Sequence, residues 1–244
     1  MNNKISTKKT EILECEKTWV FCVLMLVAGF YGCYTLGRFG VFCNAQTGNF
    51  VCLALYLGKQ NWIMALNYLL PTAAYFLGAI IPEIFASKIK KLNIIRWDTF
   101  VIFFEIVIVV ILSFLPNDID IHITMVVINF ICSIQFTTFR KANGRIMATT
   151  FCTAHWREVG VSFVKFLKHK NNEDKTKFFA HFMMILSFIA GGIISSLLMT
   201  LLQNSNEEKT LLFAVIPLTI LLIDFLYADF VKEKGKLNLT PQGH

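Results

Sequence analysis

Six apolar stretches dominate the chain, each long enough as a helix rising about 1.5 Å per residue to cross roughly 30 Å of hydrocarbon. They run Trp19 to Leu36, Trp62 to Phe85, Thr99 to Leu115, Ile121 to Phe139, Phe178 to Leu202 and Leu211 to Phe230. Charged residues make up 16% of the sequence, where soluble domains usually carry about a quarter. The charges cluster between the apolar runs. An all-α polytopic membrane protein is expected, with the lipid bilayer as its main partner and a cell (inner or plasma) membrane as its location. The formal net charge of +7 does not imply nucleic acid, because the basic residues fall in loops between helices.

Two further stretches, Gly48 to Gly58 and Ala154 to Leu167, are shorter or more polar. Cytoplasmic loops hold the excess of Lys and Arg, so charge asymmetry tests whether these two cross as well. With six crossings and the N-terminus inside, 20 of the 23 basic residues face the cytoplasm, leaving Arg38, Lys59 and Lys209 outside. With eight crossings only 13 remain inside. Six transmembrane helices are therefore expected, with the two short ones re-entrant or interfacial. Each short helix follows the first span of its half, and three spans per half invert the second copy. This predicts an inverted 3+3 repeat of half-repeats 19–116 and 120–231, as in many transporters and channels. Residues 19–231 form one membrane domain between cytosolic tails 1–18 and 232–244. The first tail is polar, carries both charge signs and lacks a cleavage-type end, unlike a signal peptide.

Seven cysteines, with no CxxC and mostly inside apolar runs, act as small hydrophobes. No metal site and no cofactor are expected. His122, His155 and His181 are far apart in sequence, HExxH is absent, and no phosphate-binding Gly-rich loop appears. Catalysis is not expected and no catalytic residue is assigned.

The stretch "NAQTGNF", Asn44 to Phe50, interrupts the apolar pattern beside the first span. Irregular backbone at membrane depth must be buried in protein or line a wet cavity. Asn44 or Thr47 is expected to cap the following helix, and Gly48 to permit close approach. That helix is apolar all round, so it is expected to be buried, its N-terminus facing a polar ligand. Candidate substrate-binding residues here are Asn44, Gln46, Thr47, Gly48 and Asn49. In the second half, "MATTFCTAHWREVGVSF" offers Thr149, Thr150 and Thr153 as caps. Aligning Thr47 with Thr153 sets Asn49 against His155, which could titrate near neutral pH. Trp156, Val159, Gly160, Phe163, Val164 and Leu167 then line an apolar face suited to the membrane interface. Gln135 completes the candidate set.

The segment "GFYGCYTLGRFGVFCNAQTGNFVCLAL" resembles the start of the YoaK family, bacterial inner-membrane proteins carrying a domain of unknown function. The resemblance rests on Gly29, Phe30, Gly37, Gly40, Thr47, Gly48 and Asn49, and in the second half on Gln135, Arg140, Thr149 and Thr153. Ala154 stands where the family has Gly, and Gly32 where an acidic residue is common. The resemblance implies a membrane protein guessed to be a transporter.

Ionisable groups within spans point to function by default. Glu105 lies in the middle of its segment and is the expected coupling carboxylate, with Asp224 a second. Arg38 is the expected partner of an anionic substrate or of Glu105. The leading reading is a small-molecule permease of unknown substrate, able to form a homo-oligomer. The alternative is a non-transporting membrane scaffold or complex partner.

Overall fold

The computed structural model describes residues 12–92, 94–116, 121–202, 207–235 and 237. Most of the two tails and of the loops at 117–120 and 203–206 therefore lies outside the described residues. Within them the chain is helical. A 3-10 turn, Glu14–Glu16, leads into α1 (Thr18–Phe39), followed by α2 (Gln46–Gly58), α3 (Trp62–Leu92) and α4 (Trp97–Ser113). Then come α5 (Ile121–Thr138), a two-stranded hairpin of β1 (Lys141–Ala142) and β2 (Arg145–Ile146), α6 (Thr153–His169) and α7 (Asn172–Leu202). A 3-10 turn, Glu207–Leu211, opens α8 (Leu212–Tyr227), which ends in a π-helical turn, Ala228–Lys232.

Helix α1 is the inner helix of the bundle, and its aromatic residues Phe21, Phe30, Tyr31 and Tyr34 are fully enclosed. It lies parallel to α7 and meets it through glycine. A methyl group on Gly29 would stand 1.9 Å from the Phe188 carbonyl oxygen, and one on Gly191 would stand 1.9 Å from the Leu26 oxygen. Only a residue without Cβ lets the backbones come so near. Helices α3 and α5 pair in the same way, Gly78 facing the Phe130 carbonyl. Helix α2 packs on α3, α6 on α7, and α4 antiparallel on α8. These directions gather the first residues of α1, α4 and α7 at one end of the bundle with the last residues of α8. The end of α1 meets the starts of α3, α5 and α8 at the other.

Among the described residues, four helical segments are long and apolar enough to cross a membrane: Thr18–Phe39, Trp62–Lys91, Asn172–Leu202 and Glu208–Lys232. Helices α4 and α5 are 17 and 18 residues long, about 26 Å each, just under the usual hydrocarbon thickness. Helix α7 starts six residues before its expected span and α3 ends seven after, because charged residues at both ends continue the helix past its apolar core. The outer helices leave large apolar side chains uncovered by protein, such as Ile63, Leu201 and Ile223, as a lipid-facing surface requires. The expectation that α2 is buried is corrected: only Asn49 is enclosed, while Phe50, Val51 and Leu55 are exposed. An all-apolar helix packed on one neighbour can turn its other sides to lipid.

Candidate functional site

Between α1 and α2 the chain leaves helical geometry, and its amides are met by side chains. Gly40 ends α1 with a positive φ of 69°, a conformation glycine adopts without cost. The Asn49 side chain accepts from the Phe42 N–H at 3.0 Å and donates to its carbonyl at 2.6 Å. Thr35 accepts from the Cys43 N–H at 3.2 Å, and Asn44 donates to the Ala28 carbonyl at 3.0 Å. Gln46 donates to Asn129 of α5 at 3.1 Å and accepts from Asn49 and from Thr72 of α3. Asn44, Gln46 and Asn49 thus join α1, α2, α3 and α5 in one hydrogen-bonded cluster. The expected capping is corrected: Ala45 is the N-cap and no side chain caps α2, because Asn44 turns back to α1. Thr47 is exposed, and Gly48 lies against the Phe42 ring.

Below this cluster is Glu105 of α4, 1% exposed, with no ion pair among the described residues. The Tyr31 hydroxyl of α1 faces it and is the hydrogen-bonding group beside its carboxyl. Cys43 and Cys132 adjoin the same space, and Tyr75 of α3 links Cys132 to Thr150. A file of buried polar groups therefore runs from Glu105 towards the segment before α6. Thr149 and Thr150 are fully buried, and the Thr150 hydroxyl meets that of Tyr75. Their expected capping role is corrected too, since Cys152 is the N-cap of α6 and no side chain caps it. Thr153 is exposed. Gln135 donates to the Leu24 carbonyl at 3.4 Å and leaves its own oxygen unbonded.

In the second half, buried His155 meets the Ala148 carbonyl at 2.8 Å through Nε2 and His181 of α7 at 2.8 Å, Nδ1 to Nδ1. A carbonyl only accepts, so Nε2 of His155 carries a proton. In the neutral pair Nδ1 of His155 is then bare, and the proton between the rings belongs to His181. Burial holds His155 below its ordinary pKa, and the bond to Ala148 works against that shift. The pair flanks a cavity of about 790 Å3 formed by the end of α5, the hairpin, α6 and the start of α7.

The remaining charges sit at the two ends. Arg96, 1% exposed, contacts Asp98 at 2.6 Å and Asp229 at 3.1 Å, and also pairs with Glu233. Thr99 donates to Asp229 at 2.7 Å, and Glu14 bridges Lys17 and Lys232. Asp224 lies near this group, where Glu14, Lys17, Lys232 and Glu233 act on it, and not beside Glu105. At the other end Arg38 pairs with Glu208 at 3.3 Å, and Tyr34 donates to the same carboxylate at 2.6 Å. Arg38 is thus engaged by Glu208 in place of the expected Glu105.

Asn129, Thr72, Tyr31, His181 and the Arg96 cluster were not among the sequence candidates. Asn129 and His181 are polar groups inside apolar helices, the signal that picked out Glu105, and it applied to them equally. Of the scattered histidines, His155 and His181 prove to be partners across the fold. "NG" at Asn143 and Gly144, with φ of 49° and 74°, is a hairpin signal of its own.

The family of proteins of unknown function DUF1275 matches residues 20–223, and the chain belongs to it, in line with the resemblance to YoaK-like proteins. Among curated proteins and solved structures, none matches.

Proposed function

We propose that this DUF1275 protein is a small-molecule permease of the cell membrane, built as an inverted 3+3 repeat of six spans with both termini in the cytoplasm. The observation that carries the reading is Glu105, a carboxyl enclosed in the bundle with no basic partner among the described residues and only the Tyr31 hydroxyl beside it. Such a group is costly, and a proton taken up and released during transport accounts for its retention.

Several features support the repeat. Helices α3 and α7 are both 31 residues long, and α4 and α8 are 17 and 16. The pairing of α1 with α7 corresponds to that of α5 with α3, and α2 on α3 to α6 on α7. Asn49 and His155, matched by the alignment of Thr47 with Thr153, each bond the carbonyl seven residues earlier. The basic loops and Arg96 collect at the end assigned to the cytoplasm. The first-half cluster is closed while the second-half segment borders a cavity, as expected of a carrier open to one side. The NAQTGN motif and its counterpart from Thr149 to His155 are the two sides of the substrate path.

The closed cluster also favours the second reading, a non-transporting scaffold whose polar residues serve only to hold the helices together. Proteoliposomes loaded with a pH-sensitive dye discriminate the two. A permease gives a solute-driven internal pH change that Glu105→Gln abolishes. A response that Glu105→Gln leaves intact removes Glu105 from the mechanism, and no response to any of a panel of acids, amino acids and sugars favours the scaffold.

A further inference from the structure

The cavity beside the histidine pair has the size of a small-ligand site and two unlike sides. One is apolar, from Phe136, Ile146, Met147 and Phe151, with the two phenyl rings 5.2 Å apart. The other is charged, from Arg140, Arg145, Arg157 and Lys177 against Glu158 and Glu173. Most of these charges have partners: Lys177 reaches Glu158 at 2.6 Å, Arg157 reaches it at 3.1 Å, and Arg140 holds Glu83 at 2.5 Å. Arg145 has no ion pair among the described residues. Its guanidinium is a fork that fits a carboxylate bidentately.

The histidine pair adds a proton site to this wall. With one proton between the rings and one on Nε2 of His155, the bare atom is Nε2 of His181, which is 3% exposed as a residue. Protonation there leaves both existing bonds intact and turns His181 into a donor. The groups acting on the pair are mixed. Arg140, Arg145, Arg157 and Lys177 oppose a positive charge, and Glu158 and Glu173 favour it. An anion on Arg145 shifts that balance towards protonation, and by linkage a protonated pair binds the anion more tightly.

We propose that this cavity binds an organic monocarboxylate with an apolar, ring-sized body, its carboxylate held by Arg145 and its binding coupled to one proton on the His155–His181 pair. The inference rests on the permease reading and names its substrate class. A bound monocarboxylate plus one proton is electrically neutral, which suits passage through a low-dielectric interior.

Benzoate is the probe, with benzyl alcohol as its neutral counterpart, and the readout is the unfolding midpoint of the purified full chain in detergent. Benzoate in excess is expected to raise the midpoint by about 3 °C or more, and to bind about tenfold tighter near pH 5.5 than near pH 8. Benzyl alcohol and inorganic phosphate should have little effect. Arg145→Gln should lose the shift, Arg145→Lys should weaken it, and His181→Gln should keep binding but lose its pH dependence. The proposal is overturned by no benzoate shift at either pH, by an equal shift from benzyl alcohol, or by an unchanged shift in Arg145→Gln. Displacement of benzoate by phosphatidylglycerol micelles overturns it in favour of a lipid headgroup. Binding without flux in proteoliposomes would remove the permease and leave the site. Flux that survives Arg145→Gln would do the reverse.

Discussion

Arg96 and Asp229 are joined twice, through the Arg96 backbone N–H at 3.1 Å and through its guanidinium at 3.1 Å, although 133 residues separate them. With Asp98 and Glu233 on the same guanidinium, one cation ties the start of α4 to the end of α8. The cluster is enclosed, so removing the cation leaves carboxylates facing each other out of water. Arg96→Met is expected to destabilise the protein by about 3–5 kcal/mol, read as a lower unfolding midpoint. A midpoint unchanged within error would mean that solvent reaches the cluster.

Glu14 gives the same end of the bundle a pH dependence. Burial pulls its carboxyl up, but hydrogen bonds and charge from Lys17 and Lys232 more than offset this, and the net pKa lies below its ordinary value of 4.5. A carboxylate lowered by folding contributes stability that is present above its unfolded pKa and is lost as pH falls through the folded value. Pepsin cleavage within residues 12–17 should therefore begin only well below about pH 4.5. Glu14→Gln, which cannot pair with either lysine, should be cleaved to the same extent at mild and at strong acidity. A wild-type profile in that variant would place the sensitivity elsewhere.

The glycine crossings make a contrast within one set of substitutions. Gly29→Val and Gly191→Val would drive a side chain into a backbone carbonyl, and neither helix can yield without separating. A loss of at least about 2 kcal/mol is expected for each. Gly78→Val should act likewise between α3 and α5. Gly58 and Gly160 have open space at the same test, and both lie in helices. Ala there should be neutral or stabilising by up to about 1 kcal/mol, in thermal unfolding of the same preparations.

What the sequence made legible was local. Apolar length marked α3, α7 and α8, and turn-like composition marked the break before α2, whose helix starts within two residues of the expected position. Side-chain direction was not legible. Thr47 and Thr153, which aligned the halves, are exposed, and their neighbours Asn49 and His155 two positions on carry the buried hydrogen bonds. A helix turns about 200° in two residues, so a correct register still left the inward residue undetermined. The Arg96 cluster was invisible for another reason: its members come from segments brought together only by the packing of α4 on α8. The short lengths of α4 and α5 depend on where a helix ends, the least legible property of a sequence.

Topology offers a test independent of activity. If α2 enters and leaves on one side and α3 crosses, Lys59 and Lys90 lie on opposite sides of the membrane. Single-cysteine variants at these positions, in a background without native cysteines, should react with an impermeant thiol reagent from opposite faces of oriented vesicles. Reaction of both from one face would remove the inverted repeat, since α3 would then not cross.

Glu105 separates a functional group from a structural one by the sign of a stability change. A carboxyl enclosed with no charged partner and only the Tyr31 hydroxyl beside it costs stability, and a residue of similar volume without charge relieves that cost. Glu105→Met is therefore expected to raise stability by about 1–3 kcal/mol, seen as a higher unfolding midpoint, while solute-driven proton movement is lost. A structural carboxyl gives the opposite pair of results: its removal destabilises the bundle and leaves any flux proportional to the amount of folded protein. Measuring both on one preparation decides the matter, because loss of flux with a raised midpoint cannot come from misfolding.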